Sequence, residues 1–174
     1  MKERYQRQTL LPEIGEEGQE KLRKARVLIV GVGGLGCPIA LYLCGAGVGH
    51  LGLIDDDYVS ISNLPRQVLY DETDIGKLKV SCAVRHLQAK NSDIQIDSYP
   101  FRLDKENAEA LIAKYDIIVD GCDNHDTRYL ISDVCHQQQK PYVYAAIGAF
   151  RGQAGVLCYD EQASTYRTLF PDEE

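Results

Sequence analysis

Val27-Leu-Ile-Val-Gly-Val-Gly-Gly-Leu-Gly-Cys-Pro38 decides how this 174-residue chain folds. Its first four residues are apolar and rich in β-branched types, the pattern of a buried strand. They run directly into Gly31-x-Gly33-x-x-Gly36, and an apolar, helix-favouring run follows from Ile39 to Ala46. Strand, glycine turn and helix N-terminus together form an anion site. Glycines allow φ > 0 and close backbone approach, while free N–H groups and the helix dipole favour phosphate. The same motif also occurs as a tight strand-to-helix turn with no ligand. Here Asp55 lies 19 residues past Gly36, at the end of His50-Leu-Gly-Leu-Ile-Asp55. That is where an acid that holds a ribose belongs.

Strand and helix patterns alternate on both sides of this unit. Residues 1–25 form an expected N-terminal helical arm, with an amphipathic helix over Gly18 to Lys24 and Arg7 in a segment free to reach a neighbour. Residues 26–174 form the nucleotide-binding domain. After Asp55 the loop through Asp57, Asn63, Arg66 and Gln67 is too long for a plain connection, and long ordered loops of this kind are usually functional. Asp74 is placed as the N-cap of a helix over Lys79 to Lys90, with Val80, Ala83, Val84 and Leu87 at helical spacing. Ile94 to Tyr99 alternates as a strand, and Asp104 caps a helix ending near Lys114. Asp116-Ile-Ile-Val-Asp120 is a buried strand that delivers Asp123 to its C-terminal end. Asp126 to Gln138 is helical, and Pro141 to Ala146 and Gln153 to Cys158 are the last strands. The fold class that follows is α/β: a Rossmann-like, doubly wound, mostly parallel sheet with helices on both faces.

A net charge of −7 argues against general nucleic-acid affinity, so phosphate recognition must come from a few placed cations. No apolar run reaches membrane-spanning length, and no signal peptide precedes Arg4. The six cysteines never form a Cys-x-x-Cys pair and sit in apolar or helical surroundings, as reduced thiols of the cytoplasm do. His50, His86, His125 and His136 show no metal-ligand spacing.

A dinucleotide needs little beyond the glycine turn and the ribose acid. A triphosphate carries about four charges and calls for Mg²⁺ with Arg or Lys. Arg66 and Lys79 follow the ribose-acid strand, and Asp123 stands at a neighbouring strand end suited to a hard cation. The three together favour ATP.

These segments resemble the ThiF/MoeB/HesA family, bacterial relatives of ubiquitin-activating enzymes. The matching residues are Arg4-Tyr-Gln-Arg7-Gln, Gly31-Val-Gly-Gly-Leu-Gly36, Ala46-Gly-Val-Gly49, Asp55-Asp-Asp57, Ser62-Asn63-Leu-Pro-Arg66-Gln67, Ile75-Gly-Lys-Leu-Lys79 and Asp120-Gly-Cys-Asp123-Asn124. The likeness runs from about residue 4 to 171. It implies ATP-dependent adenylation of the C-terminal glycine of a small ubiquitin-like sulfur-carrier protein ending in Gly-Gly. It further implies that Asp55 holds the ribose, that Gly31, Gly33, Gly34 and Gly36 pack against the nucleotide, and that Asn63, Arg66 and Lys79 meet the phosphates. Asp57 and Gln67 belong to the same nucleotide site, Asp123 holds Mg²⁺, and Arg7 acts in trans across a homodimer. Arg7, Arg66, Lys79 and Asp123 are then the catalytic set.

Three departures stand out. Thr165-Tyr-Arg-Thr168 replaces the family's zinc-binding Cys-Tyr-Arg-Cys, so no zinc is expected. Pro65 and Cys122 replace the usual glutamine and threonine. The resemblance also implies that the family's domain continues past this end and carries there the sulfur-transfer cysteine and much of the carrier-docking surface. Missing zinc cysteines tilt the expectation toward the thiamine branch, with molybdopterin as the alternative. A nicotinamide-dependent oxidoreductase and a non-catalytic nucleotide-binding scaffold remain as further readings.

Overall fold

A computed structural model describes residues 3–171; the outermost positions of the expected arm and domain lie outside them. Five parallel strands and one antiparallel edge strand form a single sheet in the order β3-β2-β1-β4-β5-β6. The strands are β1 (Arg26–Val30), β2 (His50–Ile54), β3 (Gln95–Tyr99), β4 (Ile117–Asp120), β5 (Tyr142–Gly148) and β6 (Arg151–Leu157). The helices are α1 (Gln6–Thr9), α2 (Gly15–Lys24), α3 (Gly36–Ala46), α4 (Lys79–Lys90), α5 (Ala108–Ile112), α6 (His125–Gln137) and α7 (Tyr166–Leu169). The doubly wound class expected from the sequence is the one observed.

Strand periodicity divides the core into two layers. On β1, Val27 and Ile29 face one side, packing with Leu51, Leu53, Ala40 and Cys44 of α3, and Ala83 and Leu87 of α4. Leu28 and Val30 face the other, packing with Ile112 of α5, Ile131 and Cys135 of α6, and Tyr142 and Tyr166. β1 and β2 are thus apolar on both faces, as inner parallel strands must be. Strand order reverses between β1 and β4, and an open α/β sheet leaves a crevice at the C-terminal edge of that junction. No helix among the described residues is long and apolar enough to cross a membrane.

Two helix starts differ from expectation. Asp74 does not cap α4; it ends a 3-10 turn (Glu72–Asp74), and Leu78 holds the N-cap position of α4. Its carboxylate is fully buried and accepts hydrogen bonds from His86 at 2.7 Å, from the Asp71 N–H at 3.2 Å and from Arg85. Lacking a helix to cap, the acid clasps the end of the long loop to the outer side of α4. The sequence spacing gave His86 no ligand set, yet the fold brings it beside Asp71 and Asp74. Arg85 already neutralises Asp74 there, which opposes a cation. Asp104 holds the N–H groups of Glu106 and Asn107, and the helix behind it spans only Ala108–Ile112. Asn124 caps α6, accepting from the Thr127 N–H at 2.9 Å, and the helix starts at His125, one residue before the expected Asp126.

Burial alone would raise the Asp74 pKa, but the hydrogen bonds from His86 and Asp71 lower it below the usual 3.8. A carboxyl held lower in the folded state contributes stability that is present above its unfolded pKa and lost as pH falls through its folded one. We expect Asp74→Ala to lower unfolding free energy by about 1–3 kcal/mol at pH 7, the range for hydrogen bonds to a charged group. Urea titrations should show this deficit shrinking as pH falls below about 4.

Candidate functional site

The crevice at the β1/β4 junction opens into a cleft of about 1040 Å³. Its floor is the glycine turn, and the geometry there leaves no room for side chains. Gly31 has φ +87°, and a Cβ on it would meet the Gly121 carbonyl at 2.8 Å. A Cβ on Gly36 would lie 1.9 Å from the Gly31 oxygen. Gly31, Gly33 and Gly34 line the cleft, while Gly36 is buried at the start of α3. Its missing side chain lets α3 approach the end of β1.

One lip carries the acid and the cations. Asp55 follows β2 and accepts from the Val32 N–H at 2.8 Å and the Asp57 N–H at 2.9 Å, which fixes the glycine turn and its own loop to one carboxylate. Burial raises its pKa above the usual 3.8, against the pull of those two N–H groups and of Lys79. The long loop folds back on itself: Val59 and Lys79 donate backbone N–H groups to Lys77 and Asp57, and Tyr58 bridges Leu78. This return places Lys79, 5% exposed, against Asp57 at 2.7 Å. Asp57 lines the cleft, and it is also the counterion that allows a lysine to be buried there. Asn63 binds the Ser60 N–H through Oδ1 and closes a capping box at the 3-10 turn Ile61–Asn63. Arg66 donates to the Ser62 carbonyl at 3.1 Å and lays its stem along Gly34. Gln67 is 3% exposed and lines the cleft, and its buried Oε1 has no hydrogen-bond partner among the described residues.

The other lip is the turn after β4. Asp123 is exposed, lines the cleft and makes no side-chain hydrogen bond or ion pair among the described residues. Two residues beneath it were missed by sequence reading. Asp120, fully buried, binds Arg128 of α6 at 3.0 Å and the Tyr142 hydroxyl at 3.0 Å. Arg128 also lines the cleft. The available signal was its position in the first turn of a helix that starts at the sheet's C-terminal edge. Arg7 is exposed on α1 and is not among the residues lining this cleft. The six cysteines are all free, and burial raises each thiol's pKa, Cys37 to about 11.

The family model described as "ThiF family" matches residues 5–174. The chain belongs to the ThiF family. It is 46% identical to a "Sulfur carrier protein adenylyltransferase" of Thermus thermophilus, over 97% of this chain and 64% of that protein. It is 48% identical to "Adenylyltransferase and sulfurtransferase MOCS3" of Anopheles gambiae, over 97% of this chain but 38% of that one. The crystal structure of PaaA superimposes with a TM-score of 0.84 at 28% identity, covering 99% of this chain and 57% of PaaA. That of E. coli MccB with ATP gives 0.72 at 30% identity, covering 84% and 45%. This ThiF-family chain thus spans less than two thirds of the relatives it matches.

Gly34 tolerates what Gly36 does not: a Cβ on Gly34 would meet only the Arg66 stem, at 3.6 Å. Gly34→Ala should fold with near-native melting. Gly36→Ala collides with backbone and should cost about 1–3 kcal/mol or more, as overpacking does. Thermal melts of the two variants side by side check this.

Proposed function

We propose that this chain is the nucleotide-binding part of an ATP-dependent adenylyltransferase that activates the C-terminal glycine of a small ubiquitin-like sulfur-carrier protein. The observation that carries the reading is the cleft itself. Within it, a ribose-type acid, two cations and an orphaned amide oxygen occupy one lip, and an unpaired carboxylate occupies the other. A hydride-transferring nicotinamide site leaves those cations and Asp123 without a task. The names of the Thermus and Anopheles relatives and the presence of ATP with MccB support the same reading.

In the proposed reaction a carboxylate oxygen of the carrier attacks the α-phosphorus of ATP. A P–O bond forms to the carrier, the bond to the bridging oxygen breaks, and pyrophosphate leaves with its electron pair. The attacking carboxylate is already ionised at neutral pH, so no general base is required. Catalysis is then positioning and charge neutralisation. Asp55 orients the ribose, Gly33 and Gly34 let the phosphates approach the N-terminus of α3, and Asn63, Gln67, Arg66 and Lys79 face the phosphate chain. Arg66 supplies a forked donor. Lys79, held by Asp57, supplies a fixed point charge. Asp123 suits a hard cation by its chemistry and its lack of a partner; Mg²⁺ held there would add positive charge near the phosphates. Arg7 would reach the site only from a second copy, in a homodimer. Thr165 and Thr168 are committed to the cap of α7, where Thr165 accepts from the Thr168 N–H, and threonine is a poor zinc ligand. A zinc-free chain acting in the thiamine branch is the finer form of the proposal.

ATP–pyrophosphate exchange with Mg²⁺ and purified carriers ending in Gly-Gly tests the reaction class, and thiamine and molybdopterin carriers run in parallel test the branch. Arg66→Ala and Lys79→Ala should each lower exchange about 100-fold, the scale of losing one transition-state donor. Near-normal rates in both, or tight NAD(H) binding with no exchange, would overturn the assignment. Because Asp55 must be ionised to accept from a ribose and its pKa is raised, nucleotide affinity should fall as pH drops through a value above 3.8. Binding titrations of Asp55→Asn should lack that acid limb.

A further inference from the structure

The turn that presents Asp123 is tied down at every residue except Asp123 itself. Gly121 donates its N–H to the Val30 carbonyl at 2.7 Å. The Cys122 N–H donates to Asp120 Oδ1 at 2.8 Å, and the Cys122 carbonyl accepts from Arg128 Nη2 at 2.8 Å. Asn124 is fixed as the cap of α6. Arg128 closes the ring, because its Nε donates to Asp120 Oδ2 at 3.0 Å while Tyr142 donates to the same oxygen. The guanidinium also lies 5.6 Å from the centre of the Tyr144 ring. It is 7% exposed, and Asp120 is fully buried.

A bare ion pair beneath a cleft would need only opposite charges. This one uses the planar fork of arginine, with one nitrogen on the acid and another on the backbone carbonyl directly before Asp123. A lysine could neutralise Asp120 but could not hold both groups in that geometry. We infer that Arg128 is a positioning residue, which aims the unpaired Asp123 carboxylate into the cleft by locking the Asp120–Cys122 turn from below. The inference rests on the proposed nucleotide chemistry for its purpose, and on the hydrogen-bond ring alone for its structure. Arg128 touches neither substrate nor metal in this scheme; it acts through Asp123.

Two variants of the chain separate positioning from folding. Arg128→Lys keeps a cation opposite Asp120 and removes the fork. The double variant Asp120→Asn with Arg128→Met removes both charges, so neither is left buried without a partner. Three measurements apply to each: thermal melting, amide hydrogen exchange at residues 121–124 in the ligand-free chain, and the Mg²⁺ and ATP dependence of pyrophosphate exchange. We expect Arg128→Lys to melt cooperatively and to lose amide protection at Cys122. Its kcat should fall about 10–100-fold and its half-saturating Mg²⁺ should rise about tenfold, as for lost outer-shell support of a metal ligand. Its KM for ATP should change less than about threefold, because Arg66 and Lys79 are untouched. A purely structural arginine would shift melting and leave the Mg²⁺ requirement alone. Should Arg128→Lys fail to fold, the double variant decides by the same readouts. Wild-type Cys122 protection, or an unchanged Mg²⁺ requirement with normal kcat, in a folded variant would overturn the inference. If the wild-type chain shows no exchange with any carrier, the adenylation reading fails. Amide protection then still decides whether Arg128 locks the turn.

Discussion

Three backbones meet at the end of β1 with no side chain between them. The Gly31 carbonyl sits where a Cβ on Gly36 would be, and would lie 2.4 Å from a Cβ on Gly121. Everything functional is placed by that contact. It draws the N-terminus of α3 to the sheet edge, directly behind the Gly33–Leu35 turn that lines the cleft. It also brings the end of β4 beside the glycine turn, so Asp123 stands across the same opening as Asp55. Side chains at these positions would separate the two lips and dissolve the site without removing any polar residue.

Around that contact, charged groups are retained by pairing. Lys79 is buried because Asp57 lies 2.7 Å away, and Arg128 because Asp120 lies 3.0 Å away. Burial alone would lower the Arg128 pKa, but the Asp120 charge overrides it and raises the value, which keeps that cation charged. Removing Asp57, or either member of the Asp120–Arg128 pair, leaves a desolvated charge, whereas Asp123, which lines the cleft, has no side-chain partner among the described residues. The division suits the proposed recognition of anionic phosphate in a chain whose net charge is −7.

The long loop after β2 shows how sequence and fold share the work. Its length and its Asn63, Arg66 and Gln67 marked it as functional, because connections of that length seldom persist without a task. What the residues could not show is that the loop returns on itself, so that Lys79 reaches back to Asp57. They also did not show that Asp74 clasps α4 from outside instead of capping it. Helix-cap signals depend on a few neighbouring residues, and Asp74 carries a plausible one; the competing partners, Arg85 and His86, lie a turn or more into the next helix.

By itself the sequence determined the βαβ unit and the doubly wound class, and it marked Asp55, Arg66 and Lys79, which line one cleft. Each of these is written in local periodicity or in spacings along one segment, where the physics acts over a few residues. Tertiary structure alone decided that Gly36 packs against the Gly31 backbone, that Asp57 is the counterion of Lys79, and that Asp120 and Arg128 form the foundation under Asp123. Those roles depend on distances between segments brought together by strand order. A buried charge also reveals its purpose only when its partner is in place.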